Sequence, residues 1–396
     1  MNVSAKKGVD KRAMAVLSAG HLFTDVNQGA VAALVPFLVA ERGLSLAAAG
    51  FLVLAATLSS SIVQPLFGYF SDRKPLPSLM PLGVMLGGLG IALVGVAPSY
   101  PLILLATVLS GLGVAAYHPE SARFANYVSG TGRARGMSFF SVGGNAGFAL
   151  GPVITTPLVL YFGLPGSLFL ALPALLMGLV LFRELPRLLT FRSETAKVAG
   201  EKDAGEPEHW GPFARMVGVV TVRSFVYFGL ITFVSSYYIQ VLKTSPVLAN
   251  AALSVMLFAG AAGTLTMGPL ADRVGRRAVL VGSMLLLAPL IYAFTLSGPL
   301  SGMVLLALVG AATIGTFGIT VVMGQEYLPG RIGVAAGVTM GLSIGLGGVG
   351  APLLGAVADG YGLPVMMLVL AALPLIGLAL ALSLPRGPKE PSRSGA

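Results

Sequence analysis

Cysteine is absent from the 396-residue sequence, and charged residues are scarce. Without cysteine there is no disulfide, no thiol nucleophile and no Cys-based metal site, and the redox compartment cannot be inferred. Charged residues make up 10% of the chain and hydrophobic residues 55%. Because soluble domains carry about 25% charged residues, this composition excludes an ordinary soluble protein. It predicts an integral membrane protein.

Twelve hydrophobic runs, each long enough for a helical span of about 20 residues, divide into two sets of six. They are too long for the strands of a membrane barrel. A polar, charged segment at residues 186–212 separates the sets and predicts a linker. We therefore predict an all-α membrane fold with halves at residues 1–185 and 213–396. The runs are approximately 13–40, 46–70, 78–97, 101–128, 134–160, 165–185, 213–242, 247–271, 278–297, 300–326, 332–358 and 363–384.

The basic residues define an expected orientation. A net charge of +10 would suggest a nucleic-acid partner in a soluble chain, but here Lys and Arg fall in alternate loops, which indicates topology instead. Only Arg42 and Lys243 lie on the side opposite the N-terminus. By the positive-inside rule, both termini and the linker are expected in the cytoplasm. The first run is too long for a signal-peptide core, so we expect it to be retained as the first span.

The two halves repeat with an offset of close to 200 residues. The stretch from Gly68 to Arg73 is echoed from Gly268 to Arg273, and Tyr161 to Pro165 recurs as Tyr361 to Pro364. These matches fall at corresponding ends of spans. A parallel duplication predicts two halves related by a pseudo-two-fold axis along the membrane normal, with the substrate site between them.

The loop from Gly268 to Arg277, with the letters GPLADRVGRR, resembles the signature loop of the major facilitator superfamily. The first copy keeps Asp72 and Arg73 but then departs from the pattern. The resemblance implies the major facilitator fold and a latch that holds the cytoplasmic side closed. The gating residues that it implies are Gly68, Asp72, Arg73, Gly268, Asp272 and Arg273.

Two further stretches narrow the resemblance. Residues 21–28 (HLFTDVNQ) and 111–123 (GLGVAAYHPESAR) resemble the fosmidomycin-resistance group of bacterial drug-efflux transporters. On the fifth span, Gly143-Gly144-Asn145-Ala146-Gly147, leading to Gly151-Pro152, is similar to the glycine and proline motif of drug/proton antiporters. Thr155 and Thr156 stand where that motif would continue in glycine.

Polar side chains interrupt the first and fourth spans. At about 100° per residue, His21, Asp25 and Gln28 share one face of the first span. On the fourth span, Glu120 shares a face with Arg123, whereas His118 lies well round the helix. A charge at mid-bilayer costs roughly 2.5 to 3.5 kcal/mol, so such residues usually mark a pathway.

Depth arguments predict that these side chains meet. With 1.5 Å of rise per residue, Asp25 and Glu120 lie roughly 18 and 16 Å from the cytoplasmic ends of their spans. If the two spans face one cavity, as the superfamily fold implies, Asp25, His118, Glu120 and Arg123 can form one cluster. Burial favours the neutral form of a carboxyl or an imidazole. We predict proton coupling through Asp25, Glu120, His21 and His118, with a static ion pair between helices as the alternative.

The second half has one deep charge, Arg223, with Tyr227 one turn further on. Gly318, Thr320 and Met323 stand where the first half has His118, Glu120 and Arg123. We therefore predict that the second half contributes to substrate binding. The predicted substrate-binding residues are Gln28, Arg123, Arg223 and Tyr227. The alternative for Arg223 is a structural pair with a carboxylate or with backbone carbonyls.

These features favour a proton-driven efflux transporter that acts as a monomer and exports a small anionic or amphiphilic compound. The resemblance implies that it lies in a bacterial inner membrane. A proton-coupled uptake symporter for an organic anion would need the same residues. A metal-dependent membrane enzyme, with His21, Asp25, His118 and Glu120 as ligands, is the remote alternative, since no motif such as H-E-x-x-H is present. No phosphate-binding loop for ATP is found. We expect no enzyme activity, cofactor, resident metal or nucleic-acid partner.

Overall fold

A computed structural model describes residues 8–64, 66–67, 76–130, 133–191, 208–331, 334–335, 338–339 and 343–385. In the first half the helices are α1 (Lys11–Arg42), α2 (Leu46–Ser61), α3 (Leu79–Val94), α4 (Tyr100–Val128), α5 (Arg133–Phe162) and α6 (Ala171–Leu189). In the second half they are α7 (Trp210–Gln240), α8 (Pro246–Val274), α9 (Arg276–Thr295), α10 (Pro299–Gly315), α11 (Phe317–Tyr327), α12 (Ser343–Tyr361) and α13 (Leu363–Leu382).

The described part of the chain confirms the predicted all-α membrane fold. Nine of its helical segments have at least 18 residues and enough apolar character to cross a membrane, and Leu46–Ser61 and Leu79–Val94 are shorter apolar helices. The tenth span is made of α10 and α11, which are separated by a break at Thr316. Each of the twelve predicted hydrophobic runs contains helix, so the hydropathy pattern located the spans correctly.

The polar segment between the halves begins later than the expected position, residue 186. Helix α6 continues through Pro186 to Leu189, and α7 begins at Trp210. Two contacts hold the extra turn of α6 against the start of α1: Arg187 Nη2 lies 3.1 Å from Asp10 Oδ1, and the Leu188 side chain is buried. Packing therefore extends the helix into a region that composition alone assigns to the linker.

Backbone conformation supports the internal duplication at the turn that follows the first helix of each half. Gly43 has φ +63°, and Lys243, 200 positions later, has φ +55°. Ser45 and Ser245 then cap the next helix in the same way, since their hydroxyls accept from the N–H groups of Ala48 and Leu248. The two turns are copies of one structure, although only one of them carries the glycine that a positive φ favours.

A second pair of turns repeats before the last helix of each half. Gly163 has φ +67° and Gly362 has φ +86°, and a proline follows each glycine in the first helical turn. Proline suits the first turn because its missing N–H would have no helical partner there. The sequence echo at these positions therefore corresponds to one repeated backbone turn.

Hydrogen bonds join the two halves at the end of the bundle remote from the N-terminus. Asn250 of α8 donates to Thr156 Oγ1 of α5 at 2.8 Å and to the Ala33 carbonyl of α1 at 3.4 Å. Its own carbonyl accepts from Ser235 Oγ at 2.7 Å. At the same end, Asp359 of α12 accepts from the backbone N–H groups at the start of α2. These contacts hold the halves together on the side that orientation rules assign to the exterior.

Helix α5 lies unusually close to α1 because glycines remove the side chains between them. A Cβ at Gly151 would lie only 2.6 Å from the Gly29 Cα, and one at Gly147 would lie 2.8 Å from the Leu22 Cα. Small residues allow this approach in membranes, where van der Waals packing drives helix association. The glycine motif of the fifth span therefore fixes the backbone of α5 against the polar face of α1.

Candidate functional site

Three polar side chains from the first half meet inside the bundle. His21 Nε2 lies 3.3 Å from Asp25 Oδ2, and His118 Nε2 lies 3.3 Å from Asp25 Oδ1. The two Nε2 atoms are 3.2 Å apart. Because these side chains are only 11–20% exposed, their charges are screened weakly. We call His21, Asp25 and His118 the acceptor cluster.

The outer nitrogens of the two imidazoles determine which atoms carry protons. His21 Nδ1 lies 2.8 Å from the Phe140 carbonyl, and His118 Nδ1 lies 2.8 Å from the Val114 carbonyl. A carbonyl only accepts, so each Nδ1 carries a hydrogen and donates it. Each neutral imidazole then has a lone pair on Nε2. Two lone pairs and a carboxylate converge on one point, an arrangement that repels itself until a proton or another cation enters.

The surrounding helices hold the acceptor cluster in position. A Cβ at Gly144 would lie 2.7 Å from Asp25 Oδ2 and would also overlap the His21 ring, so only glycine leaves room for both. Tyr117 donates its hydroxyl to the Leu17 carbonyl at 2.7 Å, which ties α4 to α1 one turn away. The cluster therefore depends on the packing of α1, α4 and α5 together.

Glu120 does not join this cluster, which corrects the expected grouping of Asp25, His118, Glu120 and Arg123. Its side chain is fully buried, and Oε1 accepts from the Leu76 N–H, just before α3, at 2.9 Å. Arg123 Nη1 lies 3.8 Å from the same oxygen. Residues two positions apart on a helix lie about 200° apart around its axis. His118 and Glu120 therefore point to different neighbours. Equal depth was not enough to bring them together.

Arg223 is fully buried in the second half. Its Nη1 donates to Thr316 Oγ1 at 3.0 Å and lies 3.4 Å from Thr320 Oγ1, and its guanidinium carbon lies 3.9 Å from the centre of the Phe317 ring. Within the described part of the chain, Nε and Nη2 have no hydrogen-bond partner. The observed partners are hydroxyls and a ring, and not the carboxylate or backbone carbonyls of a structural pair.

Tyr227 lies between aromatic rings of both halves. Its ring centre is 6.1 Å from that of Phe317 and 6.4 Å from that of Phe148, which belongs to α5. Gln28, half-buried, follows Asp25 by one turn on α1. The predicted substrate-binding residues Arg223 and Tyr227 thus share the neighbour Phe317 at the junction of the halves, whereas Arg123 lies beside Glu120.

The structure describes three of the six predicted gating residues, those of the second half. Gly68, Asp72 and Arg73 lie outside the described residues. Gly268, Asp272 and Arg273 lie near the end of α8, where Asp272 and Arg273 are exposed. The basic residues that follow are engaged, since Arg276 forms an ion pair with Glu326 of α11 and Arg277 donates to the Leu382 carbonyl at 2.6 Å. These contacts tie α9 to α11 and α13 within the second half.

The acceptor cluster is also the place where a cation would fit. The possible ligand atoms of His21, Asp25 and His118 all lie within 4.8 Å of one another. Nitrogen and carboxylate ligands of this kind suit divalent transition metals. Glu120, the fourth ligand of the remote alternative, is engaged with Leu76 instead. Three convergent acceptors can hold a proton equally well.

Several residues that build these sites were not singled out from the sequence. Phe140 and Val114 contribute only backbone carbonyls, which no sequence pattern identifies. Thr316 and Phe317 contact Arg223 at the break where α10 ends at Gly315 and α11 begins at Phe317. The available signal is Thr320, which lies on the same span where the first half has Glu120 and is a further neighbour of Arg223.

Comparisons with known proteins agree on one family. The family model described as Major Facilitator Superfamily matches residues 17–243 and 216–396. The chain is 33% identical over 373 residues to the fosmidomycin resistance protein of Escherichia coli, covering 92% of this chain and 91% of that protein. It is also 33% identical over 376 residues to an uncharacterised MFS-type transporter of Bacillus subtilis, covering 93% and 91%. Among solved structures, a bacterial homologue of the lysosomal transporter Spinster, in an inward-facing and unoccupied conformation, aligns with a TM-score of 0.77 at 16% identity over 93% of this chain and 95% of that one.

Proposed function

The chain belongs to the major facilitator superfamily, and we propose that within this superfamily it is a proton-coupled antiporter that exports a small anionic or amphiphilic compound. Family membership makes it a multi-pass membrane transporter and not an enzyme. The relative of E. coli named for fosmidomycin resistance supports efflux of a drug-like molecule. Fosmidomycin is a phosphonate, so an anionic substrate is the natural class to test.

The acceptor cluster carries the proposal of proton coupling. With both Nδ1 hydrogens donated to carbonyls, Asp25 and the two Nε2 atoms face one another at 3.2–3.3 Å. One proton on either Nε2 gives that nitrogen an N–H, which can be donated to the Asp25 carboxylate or to the other Nε2, and leaves the cluster neutral. Its removal leaves a carboxylate facing two lone pairs. Proton binding thus favours the packing of α4 on α1, and proton release disfavours it.

Glu120 is the second carboxyl that we propose for the proton path. Its Oε2 is buried and has no hydrogen-bond partner among the described residues, so it has room for a proton. Arg123, 3.8 Å from Oε1, stabilises the ionised carboxylate instead. The two carboxyls are thus candidates for successive protonation steps, with the acceptor cluster as the main site.

Substrate binding is assigned to the junction of the halves, near Arg223 and Tyr227, with Gln28 contributing from the first half. Arg123, predicted from the sequence as a further binding residue, lies beside Glu120 instead. Alternating access follows from the duplicated architecture, because rocking of one half against the other exposes a central site to each side in turn. We propose a monomer in a bacterial inner membrane, with both termini in the cytoplasm, on the basis of the Lys and Arg distribution.

The proposal is tested with inside-out vesicles whose lumen has been acidified, while a dye reports luminal pH. Addition of fosmidomycin or another small anion should release protons from the lumen with the wild-type protein. Asp25→Asn should abolish this release and Glu120→Gln should reduce it. Glu41→Gln, which removes an exposed carboxylate at the end of α1, should leave it unchanged. Proton release that persists in Asp25→Asn would remove the acceptor cluster from the proton path, and none in wild type would refute antiport of these compounds.

A further inference from the structure

Two of the three guanidinium nitrogens of Arg223 are available to bind a ligand. Of its three nitrogens, Nη1 is held by Thr316 and Thr320, whereas Nε and Nη2 have no partner among the residues that the structure describes. Nε and Nη2 form the side-on edge of a guanidinium. Their N–H bonds are parallel and match the two oxygens of a carboxylate or phosphonate. The threonines therefore leave available the one edge of Arg223 that binds such groups through two hydrogen bonds.

The environment of Arg223 calls for an anion. The guanidinium is fully buried, and no acidic side chain in the described ranges lies within ion-pair distance of it. Hydroxyls and a ring face offset only part of the cost of burying a cation. Phe317 covers one face of the guanidinium at 3.9 Å and holds its plane. A ligand carrying negative charge would supply the missing partner for both free N–H groups.

We propose that Arg223 binds a carboxylate or phosphonate group of the transported compound side-on, through Nε and Nη2, while Thr316, Thr320 and Phe317 hold the guanidinium. The neighbouring rings of Tyr227 and Phe148 then contact a short apolar body attached to that group. The inference rests on the proposed transport function and names the chemical class of its substrate. It distinguishes compounds that present two equivalent oxygens from esters of the same shape that carry no charge.

A lysine in place of Arg223 would keep the positive charge but would not present two parallel N–H groups. Its ammonium is a point charge whose donors are not parallel, and the two threonines could not align it. We therefore expect Arg223→Lys to weaken binding of a carboxylate or phosphonate on the order of 30-fold, the loss of one charge-assisted hydrogen bond and of alignment. Thr316→Val, which keeps the guanidinium but loosens it, should weaken binding several-fold and preserve the preference for acid over ester.

The test is equilibrium binding to purified full-length protein by isothermal titration, without any gradient. The probes are fosmidomycin, phenylphosphonate and dimethyl phenylphosphonate, a neutral match for the second. Wild type should bind the two acids and not the ester, and Arg223→Lys should bind both acids about 30-fold more weakly. Arg215→Lys, the same change at an exposed position of α7, should bind as wild type does. Thermal unfolding of each variant shows whether it is folded.

Opposite results would overturn the inference. These are equal binding of ester and acid to wild type, unchanged acid binding by Arg223→Lys, or no binding of either acid to wild type. If Arg223→Lys misfolds, Thr316→Val decides alone, since unchanged acid affinity in that variant would refute the arrangement. The proposed antiport can fail separately: acid binding that needs Arg223, without any proton movement in vesicles, would refute proton coupling and leave this inference standing.

Discussion

The Asp359 carboxylate of the second half accepts the Leu46 N–H of the first half at 2.8 Å, and its other oxygen accepts from Ala47 at 2.9 Å. Asp359 thus caps α2 from the opposite half of the molecule. A carboxylate at a helix N-terminus interacts favourably with the free N–H groups and with the helix dipole. The contact closes one end of the bundle and has to break whenever the halves separate there.

Removal of this cap should make the closed end open more often. Because the chain has no cysteine, a single Ala351→Cys substitution can report this opening through its accessibility to reagents. Ala351 is fully buried and packs against Gly50 of α2. A cap of this kind contributes about 1 kcal/mol, so Asp359→Ala should accelerate maleimide labelling of that cysteine about five-fold. Glu41→Ala removes a carboxylate at the same end and should have no effect. Equal rates in all three proteins would show that the contact does not restrain opening.

A methyl group at Gly144 should disable the acceptor cluster. A Cβ there overlaps His21 and lies 2.7 Å from Asp25 Oδ2, so Gly144→Ala has to displace one of them. We expect loss of substrate-dependent proton release in vesicles at normal expression. The matched control is Gly282→Ala on α9, where a Cβ meets nothing within 4 Å and alanine is the better helix former. Full activity in Gly144→Ala would mean that the cluster does not need its present geometry.

The turn at Lys243 should carry measurable strain. A side chain at positive φ costs about 1 kcal/mol, and Gly43 avoids that cost in the equivalent turn. Lys243→Gly should therefore raise the thermal midpoint by about 2 °C, and Gly43→Ala should lower it by a similar amount. Lys243→Ala removes the charge but keeps the strain, so it should leave the midpoint near that of wild type. A rise in Lys243→Ala as large as in Lys243→Gly would assign the effect to charge.

The chain's one tryptophan should report a titration at the start of α7. Trp210 Nε1 donates to Glu208 at 2.9 Å, and Arg331 Nε lies 2.9 Å from the other carboxylate oxygen. The Trp210 hydrogen bond, and then Arg331, lower the pKa of Glu208 below its usual 4.5. The folded pKa is depressed, so these contacts hold above it and are lost as pH falls through it.

Tryptophan emission should therefore change with a midpoint below pH 4.5. Arg331→Ala should move the midpoint upward, because the remaining hydrogen bond stabilises the carboxylate less. Glu208→Gln should abolish the transition, which serves as the control for acid unfolding. A midpoint that does not move in Arg331→Ala would contradict the role given to the ion pair.

Removal of divalent metal should not affect transport. We assign the acceptor cluster to protons, so vesicles treated with excess EDTA should show the same substrate-dependent pH response as untreated vesicles. The comparison is made at constant ionic strength, with magnesium-EDTA as the control for the chelator itself. A response that disappears with EDTA and returns on addition of zinc would reassign His21, Asp25 and His118 to a metal.

Much of the fold could be predicted from the sequence because a membrane imposes long apolar helices. Hydropathy located the spans, and the 200-residue echo identified turns that share a backbone, such as those at Gly163 and Gly362. The end of α6 could not be found in this way. It depends on an ion pair between Arg187 and Asp10, which are far apart in the chain.

The candidate site was predictable only in part. The i, i+4 spacing of His21 and Asp25 places both on one helical face whatever the tertiary structure. The choice between His118 and Glu120 as their partner depends on how α4 is rotated against α1, and the sequence carries no direct sign of that rotation. The partners of Arg223 depend likewise on the break at Thr316. Gly315 and Gly318 flank this break, but they do not indicate which side chains it brings to Arg223.

The positions of Arg223 and of the acceptor cluster have a kinetic consequence. If Arg223 binds the anion and the acceptor cluster binds the proton, as we propose, the two ligands occupy different atoms in different halves and do not displace each other directly. Acidification on the side that takes up the anion should then lower the maximal rate of exchange, while the apparent affinity for the anion stays nearly constant. Inhibition by protons would be non-competitive with the anion. The movement of the two halves, and not competition for a site, would set the rate of exchange.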